Sequence, residues 1–418
     1  MDSKECNVLY ISYDGMTDVL GQSQVIPYLT GLAKKGINFT LLSCEKKEQY
    51  AQGAKNIRAV LAKAGIGWEP IKYTKKPPVF STLYDCFRLI QKAKTIHRNS
   101  PLSMIHCRSY IPALAGLYMK RKYGIPYLFD MRGFWADERV DGGIWNPKNP
   151  IFRLIYKYFK RKETEFLAES AAVVSLTAAA KNELLKWKIA SLGSGKITVI
   201  PCCVDIALFN PDNLTIAKKQ ALKQQLAIKE DDFVLGYLGS IGTWYMLDEM
   251  LQYFVLLKNN IPGAKFLFVT PNSANHIHAK GKEYHIDTND IIITQAGRND
   301  VPAMIDLFNY GIFFIKPSYS KMASSPTKQG EIMAMGVPVI CNAGVGDTGD
   351  IVNNYHSGFV VDNFDFSPSI HEIIEKNQFN RGKIRAGAVD FFSLEKGVDK
   401  YYDVYFELLK PINSTMSH

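Results

Sequence analysis

Short apolar runs recur through the first two hundred positions, at Val8 to Ser12, Phe39 to Cys44, Met104 to Cys107, Tyr127 to Asp130, Ala172 to Ser175 and Ile197 to Ile200. Between them lie segments with apolar residues at helical spacing, such as Thr82 to His97 and Ile111 to Lys122. Strand signals separated by helix-length segments predict parallel strands joined by crossover helices. Proline, asparagine and aspartate break the pattern in PCCVDIALFNPDN, residues 201 to 213. It then restarts at Phe233 to Gly239, Phe266 to Val269, Ile291 to Thr294, Ile312 to Ile315 and Val337 to Cys341. The prediction is an α/β chain of two doubly wound parallel-sheet domains, residues 1–200 and 201–390. An aromatic-rich amphipathic helix, Leu394 to Leu409, occupies the last segment, 391–418, and is expected to cross back onto the first domain. The tail from Lys410 reads as disordered. Two such domains joined once leave a cleft between their carboxyl edges, the expected place for a ligand.

The most informative stretch within this pattern is SSPTKQGEIMAMGVPVICNAGVGDTGDIV, Ser324 to Val352. Ser324, Ser325, Pro326 and Thr327 form a helix-start signal, with hydroxyls able to cap and a proline where a missing N–H is harmless. A helix beginning near Thr327 would turn its first-turn amides and the positive end of its dipole toward an anion, with Lys328 adding a full charge. Glu331 follows three residues later on nearly the same face, so a phosphate and a vicinal diol on one ligand can meet lysine and carboxylate together. A nucleoside diphosphate has that layout. A solvated lysine–glutamate pair is the competing reading, but the Gly336-stopped helix and the apolar strand after it place the helix start at a sheet rim.

The 418 residues hold 47% apolar residues, enough for two packed cores. No run approaches the roughly 18 apolar residues of a membrane span, and MDSKECNVLYIS leads into a strand without a signal-peptide pattern, so a cytoplasmic protein is expected. The seven cysteines lack CxxC spacing and read as reduced thiols. Charge is uneven: residues 1 to 200 hold 31 Lys and Arg against 16 Asp and Glu, a net +15, and the remainder nets −5. A basic first half suits an anionic partner. Its densest part, NPKNPIFRLIYKYFKRK, interleaves apolar and basic residues at helical spacing, which fits either a helix on the inner membrane face or a core helix with a solvated back.

These residues together resemble a known family, the GT-B nucleotide-sugar glycosyltransferases, and most closely glycosyltransferase family 4. VLYISYDGMTDVLGQSQVIPYLTGLAKKG is similar to the family's first strand, glycine loop and helix; HCRSYIPAL and LFDMRGFWADE to its acceptor-side loops; VIPCCVDIALFNP to its hinge. VLGYLGSIGTWYMLDEML resembles the opening of the donor domain, SPTKQGEIMAMGVPVI the donor-site helix, and FFSLEKGVDKYYDVYFELL the terminal helix. The resemblance implies two Rossmann-like domains facing across a cleft. It implies that Glu331 holds the ribose hydroxyls and that the amides around Ser325, Pro326, Thr327 and Lys328 hold the pyrophosphate. Gly239, Ser240 and Gly242 would approach that group through backbone, Gly297 and Arg298 would frame the base, and Gly21 and Gln22 would reach the donor phosphates. Two departures stand out. The glutamate usually found eight positions before Glu331 is Ala323, and GSIGTWYM lacks the usual Arg and Lys. Compensation of the diphosphate therefore falls to Lys328, with Lys321 or Lys316 behind it.

Glycosyl transfer needs a leaving diphosphate stabilised as its charge develops. Helix amides and Lys328 suit that role, so neither cofactor nor metal is expected, the sugar nucleotide being a co-substrate. Asp130 and Arg132, at the carboxyl end of a first-domain strand, are expected to orient the acceptor hydroxyl, with Ser23, His106, Arg108 and Arg132 at the acceptor. The expected function is a retaining, metal-independent transferase of polysaccharide biosynthesis, acting on a glycan or lipid-linked glycan, with an anionic membrane surface as a further partner and no nucleic acid. A GT-B sugar-nucleotide epimerase and a non-catalytic polyanion-binding or glycan-binding protein are the alternatives.

Overall fold

The computed structural model describes residues 6–77, 79–375 and 379–410; the tail beyond Lys410, expected to be disordered, lies outside them. The chain forms two compact units, one of residues 1–201 with 394–418 and one of residues 202–393. Each is built on an all-parallel sheet.

The first sheet contains β1 (Asn7–Ser12), β2 (Asn38–Glu45), β3 (Gly67–Lys72), β4 (Met104–Arg108), β5 (Tyr127–Asp130), β6 (Ala172–Ser175) and β7 (Ile197–Val199), in the order β3-β2-β1-β4-β5-β6-β7. The second contains β8 (Phe233–Leu238), β9 (Ala264–Val269), β10 (Ile291–Thr294), β11 (Tyr310–Phe313), β12 (Val339–Asn342) and β13 (Gly358–Val361), in the order β10-β9-β8-β11-β12-β13. Strand order reverses between β1 and β4 in one sheet and between β8 and β11 in the other, and such switch points open a crevice at the carboxyl ends of the strands. The doubly wound fold expected from the apolar runs is the fold observed. The central strands are buried on both faces because helices cover both, as β4 and β5, buried at every position, illustrate.

Sequence patterning missed two strands. β3 reads GWEPIK, half-exposed and interrupted by Pro70, and it lies at a sheet edge, where proline costs no ladder bond. β13 is the edge strand of the second sheet, four residues long and opened by Gly358. The predicted terminal helix spans Leu394–Leu409, and its Tyr401 and Tyr405 are buried in the first unit.

The helix Thr327–Ala334 begins at the expected residue and stops at Gly336, which takes the left-handed φ of +70°. Every residue from Lys328 to Ala334 is buried, which rules out the solvated-pair reading. The start differs in detail from the expectation. Pro326 is the capping residue and no side chain caps the helix; the Ser325 hydroxyl instead accepts from the Cys202 amide at 3.1 Å. Gln329 N donates back to the Pro326 carbonyl, and the amides of Thr327 and Lys328 are left for another acceptor.

Candidate active site residues

In the second unit the carboxyl end of β8 runs into Gly239, whose φ is +104°. A side chain here would be strained, and its Cβ would stand 3.3 Å from Lys328 Nζ. Backbone and lysine thus approach closely at the switch point. Lys328 donates to the Tyr237 hydroxyl at 3.0 Å and lies 4.1 Å above the Tyr237 ring and 3.6 Å above that of Tyr245. Only 7% of it is exposed, and among the described residues no carboxylate lies within ion-pairing distance. Burial pulls its pKa well below 10.5, against a smaller upward pull from Glu331. Aromatic faces attract an ammonium but do not neutralise it, so an anion at this position would hold the lysine charged.

Glu331 faces the other way. It pairs with Arg298, whose guanidinium also lies 4.8 Å over the Phe209 ring. Burial raises the Glu331 pKa, and Arg298 opposes that rise. Arg298 is 39% exposed at its side chain. A partly exposed cation over a buried carboxylate can exchange its bond for a ligand hydroxyl, which suits the diol role expected of Glu331.

The loop after β8 is held by groups that the sequence did not advertise. Asn272 accepts from the Ile241 amide at 2.6 Å and from the Thr270 hydroxyl at 3.0 Å. The Tyr237 hydroxyl donates to the Ser240 carbonyl at 2.8 Å, so Ser240 contributes backbone while its side chain is exposed. Gly242 is exposed with open space at its Cα. Gly297 accepts from the amides of Asp300 and Val301, a turn that presents Arg298. Lys321 lies 3.8 Å over the Trp244 ring and is 6% exposed, whereas Lys316 is exposed. Ala323 is 2% exposed.

In the first unit Ser12, Arg108 and Asp130 stand in register across β1, β4 and β5, at the switch point. Asp130 is 1% exposed. Its carboxylate accepts from the Tyr401 hydroxyl at 3.0 Å, lies 3.3 Å from His106 Nε2, and has Arg108 and Arg132 each at 3.9 Å. Burial alone would raise its pKa, but Arg132, His106 and Arg108 together bring it below the ordinary value. Arg132 takes φ +57°, a conformation that costs a non-glycine residue about 1 to 2 kcal/mol and that turns a guanidinium back toward Asp130. Two arginines lie beside this one buried carboxylate, and the half-exposed Asp14 stands 3.6 Å from Arg108. Arg108 Nε and Asp130 Oδ1 are buried without a hydrogen-bond partner, as expected of groups awaiting one.

The remaining residues expected at the donor and acceptor in this unit make contacts of their own. His106 is 2% exposed and bonds Tyr405 at 2.6 Å as well as Asp130. It is an internal strut tying Asp130 to the terminal helix, and burial lowers its pKa. Gly21 lies within the helix Val19–Gln24, where a Cβ would stand 2.3 Å from the Gly15 carbonyl oxygen. Its smallness lets the helix press on the loop after β1, so it is a packing residue. The Gln22 amide donates to the Thr17 carbonyl and the Ser23 hydroxyl to the Val19 carbonyl, so both side chains bond their own segment. The organiser of that loop is Glu45, 3% exposed at the end of β2. It accepts from Met16 N, from Thr17 N and Oγ1, and from Ser43 Oγ.

Residues 24–208 match Glycosyltransferase Family 4 and residues 218–387 match Glycosyl transferases group 1. A D-inositol 3-phosphate glycosyltransferase of Stackebrandtia nassauensis is 23% identical over 301 residues, 69% of this chain, and the chain spans 63% of that relative's length. Among solved structures, a glycosyltransferase from Rickettsia africae superposes with a TM-score of 0.71 at 17% identity, over 97% of this chain and 99% of its own. Anabaena HepE in complex with UDP-glucose gives 0.70 at 14% identity, over 96% and 99%.

Proposed function

From a chain that belongs to the GT-B glycosyltransferases and resembles family 4, we propose an enzyme that moves a sugar from a nucleoside diphosphate sugar to a glycan or lipid-linked glycan. The observation that carries this reading is Lys328, buried at the start of the Thr327–Ala334 helix against aromatic rings, with no carboxylate within ion-pairing distance among the described residues. As the glycosidic bond to the donor breaks, negative charge gathers on the leaving diphosphate. Lys328 and the first-turn amides from Thr327 meet that charge, and Gly239 lets it come close to backbone. Glu331 turns from Arg298 to the ribose diol, while Arg298 and Gly297 flank the base. Charge compensation by lysine and helix amides is what supports a metal-independent reaction. Retention of configuration is assigned from the family resemblance.

The acceptor is assigned to the first unit. Asp130 and Arg132 orient its attacking hydroxyl, and the guanidiniums of Arg108 and Arg132 at the carboxyl end of the sheet suit an acceptor that carries a phosphate. The relative from Stackebrandtia nassauensis, whose name specifies inositol 3-phosphate, is consistent with that preference. The chain has no helix long and apolar enough to cross a membrane among its described residues; a basic first half suits an acceptor presented at the inner membrane face.

The test is nucleoside diphosphate release from a panel of sugar nucleotides, with and without phosphorylated acceptors. Acceptor-dependent release supports the assignment. Conversion of the donor sugar with no acceptor present indicates an epimerase, and salt-sensitive polyanion binding with no nucleotide effect on melting indicates a binding protein.

A further inference from the structure

Two helices of the first unit carry apolar residues where solvent should find polar ones. In the helix Phe80–Asn99, Phe80, Leu83, Tyr84 and Phe87 are 71%, 56%, 56% and 57% exposed. Their spacing of three, four and seven residues puts them on one stripe. The fold already uses the opposite stripe, with Asp85, Cys86, Leu89 and Ala93 buried. In the helix Pro150–Glu169, Ile151, Leu154 and Tyr158 are 63%, 70% and 43% exposed, again at spacings of three and seven, while Phe159, Phe166 and Leu167 face inward. Scattered exposed apolar residues need no explanation, but two full stripes do.

The stripes are neighbours. Both helices pack on the helix Tyr110–Tyr123, and the Cys86 thiol of one is close enough to influence the Tyr158 phenol of the other. Each stripe also lies in the first half of its helix, and those halves follow the carboxyl ends of β3 and β5. Asp85 ties the first to the loop after β1 by accepting from Tyr13. The first halves of both helices therefore lie on the carboxyl side of the sheet, the side that carries Arg108, Asp130 and Arg132.

Its surroundings are cationic. Residues 72–98 hold seven Lys and Arg against one acidic residue, the fully buried Asp85, and residues 143–161 hold five against none. Lys75, Lys76, Lys148, Arg153, Lys157 and Arg161 are exposed. A second copy of the chain would set like charge against like charge, and nucleic acid offers nothing to bury the apolar stripes. An anionic bilayer satisfies both, taking apolar side chains at the headgroup and acyl boundary and cations at the headgroups.

We infer that the stripes of the 80–99 and 150–169 helices seat the first unit on an anionic lipid surface, with the acceptor edge of the sheet turned toward the lipid. This deepens the acceptor assignment above, since a lipid-borne acceptor phosphate would then arrive beside Arg108 and Arg132.

The experiment is flotation of the full chain with phosphatidylcholine vesicles and with vesicles containing about one third phosphatidylglycerol. Binding is expected to the anionic vesicles alone and to weaken with salt. Leu83→Gln with Leu154→Gln should reduce partitioning about tenfold or more. Lys76→Gln with Lys157→Gln should reduce it and flatten the salt dependence. Both double variants should melt with the wild type and release nucleoside diphosphate at the wild-type rate with a water-soluble acceptor. Absence of binding to anionic vesicles at low salt, or equal partitioning by wild type and the apolar variant, overturns the inference while leaving the enzymatic assignment intact. A concentration-dependent dimer abolished by Leu83→Gln with Leu154→Gln also overturns it, in favour of self-association. Loss of product release in wild type with every acceptor would instead strike the enzymatic reading.

Discussion

The two sheets share a strand order around their switch points but settle their charges in opposite ways. In the first unit the buried carboxylates have partners of their own: Glu45 accepts from three donors of the β1 loop and from Ser43, and Asp130 accepts from Tyr401, with His106 and two arginines beside it. In the second, the lysine at the equivalent crevice has aromatic rings and a tyrosine hydroxyl around it and, among the described residues, no carboxylate within ion-pairing distance. A buried charge with partners stabilises a particular loop shape, whereas one without them costs stability until a ligand supplies the counter-charge. On the proposed reading, the first arrangement holds the acceptor-side groups in place and the second leaves Lys328 ready for the donor's diphosphate.

That contrast is sharpest at Lys328. Replacing it with Met should lower kcat/KM for the donor by about 10²- to 10³-fold, the scale set by removal of one preorganised group facing developing charge. The melting temperature should stay level or rise, because a desolvated ammonium has been exchanged for an apolar chain. Chromatographed product release and differential scanning calorimetry together check it; a large loss of stability would mean that Lys328 is structural.

Glu45 should behave the opposite way. Glu45→Ala leaves four buried donors without an acceptor and should cost roughly 3 kcal/mol in urea unfolding, given ~1 to 3 kcal/mol for each strongly held group and some relaxation of the loop. Its effect on donor affinity should be slight. Glu331→Gln comes next, since an amide can still accept from a diol but is a weaker acceptor and loosens Arg298. About a tenfold rise in donor KM is expected, which is roughly 1.4 kcal/mol, with kcat largely kept.

The smallest expected effect is in the pH dependence. Burial holds the folded-state pKa of Lys328 well below 10.5, so between those two values the unfolded chain binds more protons and stability rises with pH. A bound diphosphate reverses the shift. Donor binding should therefore take up a proton, and affinity should fall as pH rises through the lysine's folded-state pKa; Lys328→Met should lose that slope. Asp130 titrates the other way, its depressed pKa giving stability that is present above the ordinary carboxylate value and lost as pH falls through the folded one.

Most of the second unit's candidate site is legible in the sequence because its signals are local. A helix start, a lysine, a glutamate three residues on and a glycine stop lie within ten positions, from Thr327 to Gly336. The aromatic cage did not show, since Tyr237, Tyr245 and Lys328 meet only when β8 and the 327–334 helix are brought together. The first unit was harder to read for the same reason. Asp130 and Arg132 announce themselves at a strand end, but the partners of Asp130 come from Tyr401, 271 positions away, and from His106. Likewise Gly21 looked like a phosphate loop glycine until its contact with Gly15 showed the helix pressed on the loop. Edge strands β3 and β13 escaped because half-exposed edges lack the long apolar runs of central strands.

The most direct test of the central claim is isothermal titration of the wild-type chain and of Lys328→Met with a nucleoside diphosphate and with the matching nucleoside. The account predicts that wild type binds the diphosphate far more tightly than the nucleoside, that Lys328→Met loses most of that advantage, and that nucleoside affinity is nearly the same in both. An undiminished diphosphate advantage in Lys328→Met would contradict it.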